Sequence, residues 1–275
     1  MQFVRLDPPG TLCHHAAIFD MLKGIDVHSF VEVGCGTGKL ASLFCQRGLT
    51  GVGIDISANA LQQAEPVLKD YLARGQFRLH NGDIMERNSF ASYAAQFDLA
   101  LSLMVMEHVV DDVGFLRNLT GLVKEGGSLI VAVPGRRDRW GIEDETVGHR
   151  RRYEREELED KLRGAGLINV EVWSVAVPVA NVLFFVGKRL LQRSPEVQKL
   201  SLSPGEQTYQ SGLQEIPFKT VFPPWCKFLL NPTVWFPAFL FQRLFYRSRL
   251  GLILQGRGTV ARSATARSLF NPCRG

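Results

Sequence analysis

The sequence has few cysteines, and they follow no recognisable pairing pattern. Its five cysteines are an odd number and include no C-x-x-C pair. Neither a disulfide framework nor a structural zinc site is indicated, so we predict a reducing compartment. The N-terminus shows no positively charged segment followed by an apolar run, so we expect no export and a cytoplasmic protein.

Long apolar runs are also missing. The two stretches that come nearest are residues 228–242, which are 15 uncharged residues with two prolines, and residues 172–187, which are 16 uncharged residues. A helix that crosses a bilayer needs about 20 consecutive apolar residues. We therefore predict no transmembrane helix.

Acidic residues are absent from the C-terminal part of the chain. Residues 216–275 hold nine Lys/Arg and no Asp/Glu, whereas residues 1–215 hold 23 basic and 27 acidic residues, a net charge of −4. A basic segment on a mildly acidic body indicates contact with something anionic, such as a membrane surface. A plain solvated surface is the alternative.

Three glycines alternate in one short stretch, residues 30–40. A β-branched and aromatic run precedes Gly34, Gly36 and Gly38, and apolar residues at helical spacing follow them, which predicts a strand that turns directly into a helix. Such a turn points backbone N–H groups outward and needs glycine wherever a ligand approaches. The spacing G-x-G-x-G differs from the dinucleotide pattern, and Leu40 after Lys39 excludes a P-loop. We interpret the stretch as a cofactor loop; a tight turn without a ligand is the alternative.

Residues 31–38 resemble motif I of the class I S-adenosylmethionine (SAM)-dependent methyltransferases, with Glu32 two places before the first glycine. The resemblance implies SAM as the cofactor, with Glu32, Gly34, Gly36 and Gly38 at its site. The alternation of strand and helix over five units predicts an α/β fold with a doubly wound, mostly parallel sheet. The family implies a seven-stranded sheet whose last strand is antiparallel.

The next three predicted strands also lead to cofactor residues. Asp55 follows Gly38 by 17 residues, close to the distance at which Rossmann-type folds place a carboxylate under the ribose, and Ile56 follows it. By the resemblance, Asp83 meets the adenine amino group and Ile84 packs on the ring, and we also assign Leu103 to the cofactor. A helix cap at Asp55 and a plain Asn-Gly turn before Asp83 are the alternatives.

No metal site is predicted. Glu107-His108-Val109 resembles the E-H-V signature of the ubiquinone-biosynthesis-type O-methyltransferases, some of which carry another acid three residues earlier and are proposed to bind a divalent ion. Met104 occupies that position here, and a hard cation needs several oxygen ligands. We therefore expect Glu107 and His108 to brace the loop.

The charged loop of residues 143–153 resembles the D-E-x-x-G-H-x-R-R-Y element of many bacterial small-molecule methyltransferases, where it borders the acceptor site. A loop at the carboxyl edge of the sheet that carries His, Tyr and Arg is a place for chemistry. His149 is the candidate base, and Tyr153 is a second catalytic candidate. His149 could instead cap a helix or bind the backbone, and Tyr153 could instead hold the loop shut.

The predicted organisation has four parts. Residues 1–176 form the SAM-binding core, residues 177–249 an apolar and helical insertion, residues 250–258 the last core strand and residues 259–275 a basic, flexible tail. Ten of the chain's 27 aromatic residues lie between positions 218 and 246. The insertion is therefore a lid over an apolar acceptor, an element that lies in a membrane interface, or simply part of the core.

These features predict a SAM-dependent methyltransferase that acts on a small or lipid-like apolar acceptor at oxygen. The alternatives are an RNA or protein methyltransferase, and a SAM-binding interaction protein without catalysis. The sequence contains no recognisable RNA-binding module, so nucleic acid is the less favoured partner. We place the protein in the cytoplasm or on the inner face of a membrane.

Overall fold

The computed structural model describes residues 3–86, 89–211 and 214–262. The strands in these ranges are β1 (Val4–Arg5), β2 (Ser29–Val33), β3 (Thr50–Asp55), β4 (Phe77–Asn81), β5 (Phe97–Leu103), β6 (Val123–Pro134), β7 (Leu167–Val175), β8 (Val221–Phe222) and β9 (Ile253–Val260). The helices are α1 (Pro9–Met21), α2 (Lys39–Cys45), α3 (Ala58–Ala73), α4 (Asp112–Leu122), α5 (Ile142–Val147), α6 (Arg155–Gly164), α7 (Val179–Gln192), α8 (Pro204–Ser211) and α9 (Pro232–Gln242).

The main sheet has seven strands in the order β4-β3-β2-β5-β6-β9-β7. Strands β2 to β6 pair in parallel, and β9 runs antiparallel to both of its neighbours. Helices cover both faces. Phe30 packs in a core cluster with residues of α2 and α3, whereas Val31 and Val33 pack on the other face with residues of α4 and α6. The predicted fold class, a doubly wound and mostly parallel seven-stranded sheet, is confirmed.

The strand register aligns the carboxyl ends of the parallel strands. Val33 pairs with Ile54 and Asp55 pairs with Asn81, so β2, β3 and β4 end side by side. Residues that follow these strands therefore share one edge of the sheet, which is where open α/β sheets bind their ligands.

The last strand lies further along the chain than the predicted residues 250–258. It spans Ile253–Val260, and two of its glycines are closely packed. A Cβ on Gly256 would lie 2.6 Å from Leu162 Cδ1, and one on Gly258 would lie 2.7 Å from Leu167 Cβ. Glycine weakens a strand pattern in the sequence but lets α6 pack closely here. Residues 263–275 of the predicted flexible tail lie outside the described residues.

The insertion between β7 and β9 is largely helical, as predicted. It contains α7, α8, β8 and α9, and both α7 and α9 contact α1. Strand β8 pairs with β1, with Val4 opposite Phe222, so the beginning of the chain is tied to the insertion. No helix in the described ranges is long and apolar enough to cross a membrane.

Candidate functional site

One cavity of about 1100 Å³ lies at the carboxyl edge of the sheet, between the strand ends and the insertion. Residues after β2, β3, β4 and β5 line its sheet side, and α7 together with parts of residues 208–230 lines the opposite side. The start of α1 and the loop with α5 close its ends. The edge predicted from the strand order therefore borders a cavity, and the insertion supplies one of its walls.

Most of the predicted site residues meet at this cavity. Eight of the eleven line it: Gly34, Gly36, Asp55, Ile56, Asp83, Ile84, Leu103 and His149. Glu32, Gly38 and Tyr153 are not among its lining residues. The structure brings the predicted cofactor residues and the candidate base to a single space, and their roles stay predictions.

The glycine loop has the backbone that its sequence requires. Gly34 has a φ of +78°, and a Cβ there would lie 2.2 Å from Val105 Cγ2. Gly36 has a φ of +52° and would meet nothing within 4 Å, because it faces the cavity. A positive φ favours glycine, and an open side lets a ligand reach the peptide backbone. The loop therefore fits a cofactor that lies against it.

Asp55 anchors the loop from the neighbouring strand. Its Oδ2 accepts a hydrogen bond from Gly36 N at 2.7 Å, and its Oδ1 accepts one from Ser57 N at 2.8 Å. Burial raises the pKa of Asp55, and these two bonds oppose the shift. Each carboxylate oxygen can accept a further bond, so the side chain is held in place and can still receive ligand hydroxyls.

The turn after β4 is also held by short contacts. Asp83 Oδ1 accepts a hydrogen bond from Met85 N at 2.9 Å, and Asn118 Nδ2 donates to Ile84 O at 2.9 Å. Ile84 is buried in the core cluster on the α4 side of the sheet. These contacts fix Asp83 and Ile84 beside the residues that follow β3.

Glu32 lies in the middle of the sheet, behind the glycine loop. Its side chain is buried, and burial, together with the nearby Asp55 charge, raises its pKa to about 8. The fold therefore favours the protonated form of Glu32, whereas an unfolded chain ionises it at an ordinary pKa. Below the pKa that Glu32 has in the unfolded chain, this group does not affect the free energy of unfolding. As the pH rises from there towards the pKa of Glu32 in the folded protein, the free energy of unfolding falls.

We expect Glu32→Gln to be more stable than the wild type at pH 8.5 and nearly equal to it at pH 4. The amide cannot ionise, so the gain at high pH should be on the order of 4 kcal/mol, since one pKa unit corresponds to about 1.4 kcal/mol. Urea unfolding of the ligand-free protein at both pH values measures the difference. Glu65→Gln, at an exposed position of α3, is the matched control and should show no such gain. If the free energy of unfolding depends on pH in the same way in Glu32→Gln and in the wild type, the pKa of Glu32 is not raised in the fold.

His149 is held between two buried carboxyl groups. Its Nδ1 donates to Asp144 Oδ1 at 2.8 Å, and its Nε2 lies 3.5 Å from Glu107 Oε1, beyond an ordinary hydrogen bond. Burial raises the pKa of Glu107 to about 7, and the neighbouring His149 opposes this shift. The bond to Asp144 fixes the imidazole so that Nε2 is the nitrogen available as a base.

Asp144 is a site residue that was not predicted from the sequence. It is fully buried, and burial works against its ionisation, but the bonds from His149 and Arg152 outweigh this and lower its pKa. Arg152 Nε donates to Asp144 Oδ1 at 2.8 Å. Gly148, with a φ of +76°, ends α5 and turns the chain so that His149 returns to Asp144. A glycine directly after a short acidic helix is the sequence signal that could have indicated the pairing of Asp144 with His149.

Tyr153 lies beneath the site. Its hydroxyl donates to Asp112 Oδ2 at 3.1 Å, at the start of α4, and its ring is fully buried. Tyr153 N donates to Pro134 O, and Arg136 N donates to Tyr153 O. The residue therefore joins the charged loop to the end of β6 and to α4.

Glu107, His108 and His149 form a small group on the same wall. One ligand atom of each lies within 4.8 Å of the others. His108 Nδ1 is 3.3 Å from Gly148 O and 3.1 Å from Thr208 Oγ1. Burial and the neighbouring His149 lower the pKa of His108 to about 3, so it is neutral. The geometry does not test the prediction that no metal binds, which stays a prediction.

The insertion contributes an apolar wall that the sequence did not locate. Five residues of α7 recur at helical spacing and line the cavity: Leu183, Phe184, Gly187, Leu190 and Leu191. Phe218 and Phe222 lie beside them on the same wall. Their spacing at i, i+1, i+4, i+7 and i+8 was the available signal for a cavity-facing stripe.

A family model described as a methyltransferase domain matches residues 15–172, more than half of the chain. The ubiquinone biosynthesis O-methyltransferase of Leptothrix cholodnii is 30% identical over 115 residues, which are 42% of this chain and 46% of that protein. Its counterpart from Rhodopseudomonas palustris is 28% identical over 106 residues, 38% of this chain and 39% of that protein. The matches span less than half the length of these curated relatives.

Solved structures with the same fold cover most of the chain. Phosphoethanolamine N-methyltransferase 2 of Haemonchus contortus, solved with S-adenosyl-L-methionine, has a TM-score of 0.57 and 15% identity over 90% of this chain and 52% of that one. A SAM-dependent methyltransferase of Thermotoga maritima has a TM-score of 0.52 and 19% identity over 91% of this chain and 89% of that one. At these identities the structures bear on the fold alone.

Proposed function

This chain belongs to the methyltransferase-domain family, and from that premise we propose that it transfers the methyl group of SAM to a small or lipid-like apolar acceptor, at oxygen. The observation that carries the proposal is the single cavity. It joins a glycine loop and two strand-end acids on one side to a partly buried histidine and an apolar wall on the other.

The sheet side of the cavity would hold the cofactor. Asp55 would accept bonds from the ribose hydroxyls, Asp83 would accept one from the adenine amino group, and Ile84 and Leu103 would pack on the rings. The backbone at Gly36 permits close approach because its side toward the cavity is open. Glu32 and Gly38 would act from behind the loop, by supporting its shape. When bound, SAM supplies a methyl group that is already activated by the sulfonium.

The chain's own residues would align the acceptor, remove its proton and exclude water. His149 Nε2 would take the proton of an acceptor hydroxyl, and Asp144 would stabilise the imidazolium that forms. Tyr153, through its bonds to Asp112 and to the end of β6, would hold the loop that carries His149. The apolar side chains of α7 favour an apolar acceptor over a strongly charged one.

The test is incubation with methyl-radiolabelled SAM and fractionated cell extract. We expect label in the organic phase, in a product whose mass and NMR spectrum show an O-methyl group. Label in nucleic acid or in protein would replace this proposal with the corresponding macromolecular methyltransferase. Binding of SAM without transfer to any fraction would favour a non-catalytic SAM-binding protein. Asp26→Ala, which changes an exposed carboxylate paired with His28, is the control and should label the same product.

A further inference from the structure

Helix α9 combines an apolar sequence with an exposed position. Residues 232–242 contain no charged side chain, and among them only Gln242 is buried. Phe236 and Phe241 are at least half exposed. A helix that is apolar all round is normally enclosed by other elements. In the part of the chain that the structure describes, nothing encloses α9 in this way.

Helix α7 presents apolar side chains on two opposite faces. Phe184 and Leu190 line the cavity, whereas Val182 and Phe185 are exposed. Val186, at the border, is exposed and also lines the cavity. The spacing of the three exposed residues places them in one stripe along the helix. A lid helix in water needs only its inner face to be apolar, so the outer stripe requires its own explanation.

The two helices are connected through α1 and through the segment after α9. Both helices contact α1, and Asn181 Nδ2 donates to Leu250 O at 2.8 Å, which places the start of α7 beside the segment after α9. Leu244 in that segment is 76% exposed, and Phe228 before α9 is 69% exposed. We call this set of exposed side chains the docking surface: Val182, Phe185, Val186, Phe228, Phe236 and Leu244.

Two exposed cations, Lys227 and Arg247, lie beside the docking surface, and neither forms an ion pair within the described ranges. Arg243 is paired with Asp20, and Arg249 is paired with Glu156. Residues 216–262 contain no Asp or Glu. Apolar side chains flanked by Lys and Arg match the boundary between acyl chains and anionic headgroups.

The cavity reaches this side of the molecule. Val186 and Phe218 both line the cavity and are more than half exposed. Leu230 lines the cavity directly after the exposed Phe228 and Leu229. A molecule that lies against the docking surface is therefore next to the cavity.

We propose that the docking surface lies in the interface of an anionic lipid bilayer, with the cavity open toward the lipid. The basic residues would meet the headgroups, and the side chains of α7 and α9 would enter the acyl boundary. Helix α9 would lie in the plane of the interface, because its 11 residues are too few to cross a bilayer. The inference rests on the proposed function only for what enters the cavity, an apolar acceptor drawn from the membrane.

Charge favours a lipid surface over a second copy of the chain. A symmetric dimer brings the same patch of both copies together. Lys227, Arg247 and their basic neighbours would then face the same cations, which opposes association. An anionic bilayer supplies the opposite charge over the whole patch.

The test is co-sedimentation of the full chain with vesicles of phosphatidylglycerol and phosphatidylcholine, and with vesicles of phosphatidylcholine alone. We expect binding only to the anionic vesicles, weakened by high salt. The triple variant Phe228→Ser/Phe236→Ser/Leu244→Ser should bind at least about tenfold more weakly, since it removes large apolar side chains. Lys227→Gln/Arg247→Gln should weaken binding at low salt. Val67→Ser, at an exposed apolar position of α3, is the control and should bind like the wild type.

Three results would overturn the proposal. They are no binding of the wild type to anionic vesicles, unchanged binding of the triple variant, and a wild-type dimer that the triple variant converts to a monomer without any vesicle binding. Calorimetry with SAM on the same proteins separates this proposal from the proposed function. SAM binding without vesicle binding contradicts the docking surface alone, and vesicle binding without SAM binding contradicts the methyltransferase site alone.

Discussion

Asp55→Ala is expected to lower the affinity for SAM by at least about 100-fold, because two charge-assisted hydrogen bonds to ribose hydroxyls would each contribute roughly 1.5–3 kcal/mol. The carboxylate is already oriented by Gly36 N and Ser57 N, so little ordering cost is paid when the ligand arrives. Removal of the side chain also frees these two N–H groups at the loop. Isothermal titration calorimetry with SAM and with S-adenosylhomocysteine measures the change.

Matched variants separate the ribose contact from a general loss of structure. Asp55→Asn keeps an oxygen for one N–H and should fall between the wild type and Asp55→Ala. Asp26→Ala, at an exposed carboxylate beside His28, should bind SAM normally. The wild type should also discriminate against a 2′-deoxy analogue of S-adenosylhomocysteine, and Asp55→Ala should not. Unchanged affinity in Asp55→Ala would remove Asp55 from the proposed site.

Elements governed by local chemistry were predicted well from the sequence. Helix α3 spans residues 58–73 and begins directly after Ser57, which caps it. Strand β5 coincides with the apolar run of residues 97–103. Their signals lie within a few positions of one another: a capping serine, a helical repeat, a continuous apolar run. The glycine loop belongs with them because its backbone angles are set by residues 34, 36 and 38 themselves.

Features that depend on distant contacts were predicted less well. Strand β9 is displaced from the predicted residues. Its Gly256 packs against Leu162 and its Gly258 against Leu167, both of which lie more than 90 residues earlier in the chain. The pairing of His149 with Asp144 needs the turn at Gly148, and its position against Glu107 needs the loop after β5. Gly148 is a local signal for the turn, but no local pattern indicates the position of His149 against Glu107.

The insertion is a further case in which the sequence predicts the type of structure but not the contacts of its residues. Its apolar and helical character follows from its residues alone. Which face of α7 lines the cavity and which face is exposed depends on how the helix sits against α1 and the strand ends. The sequence could not decide between a lid, a membrane element and part of the core. In the structure, α7 has one apolar face toward the cavity and another that is exposed.

His149→Ala is expected to lower the rate of methyl transfer by about 100-fold or more, the usual contribution of a positioned general base. The acceptor hydroxyl would then have to lose its proton to water in an apolar cavity. Affinity for SAM should change little, because His149 belongs to the acceptor end of the site. Initial rates with radiolabelled SAM and the acceptor fraction identified by the labelling experiment measure the loss.

Imidazole added to His149→Ala distinguishes proton removal from structural support. If Nε2 acts as the base, free imidazole should restore part of the rate, because the truncated side chain leaves space beside the cavity. Asp144→Asn should lower the rate by about tenfold, since it keeps an oxygen near Nδ1 but removes the charge that stabilises the imidazolium. Tyr153→Phe should change stability more than rate, because its hydroxyl bonds to Asp112. A His149→Ala rate close to that of the wild type, or a large rate loss in Tyr153→Phe with intact SAM binding, would transfer the catalytic role from the histidine to another group.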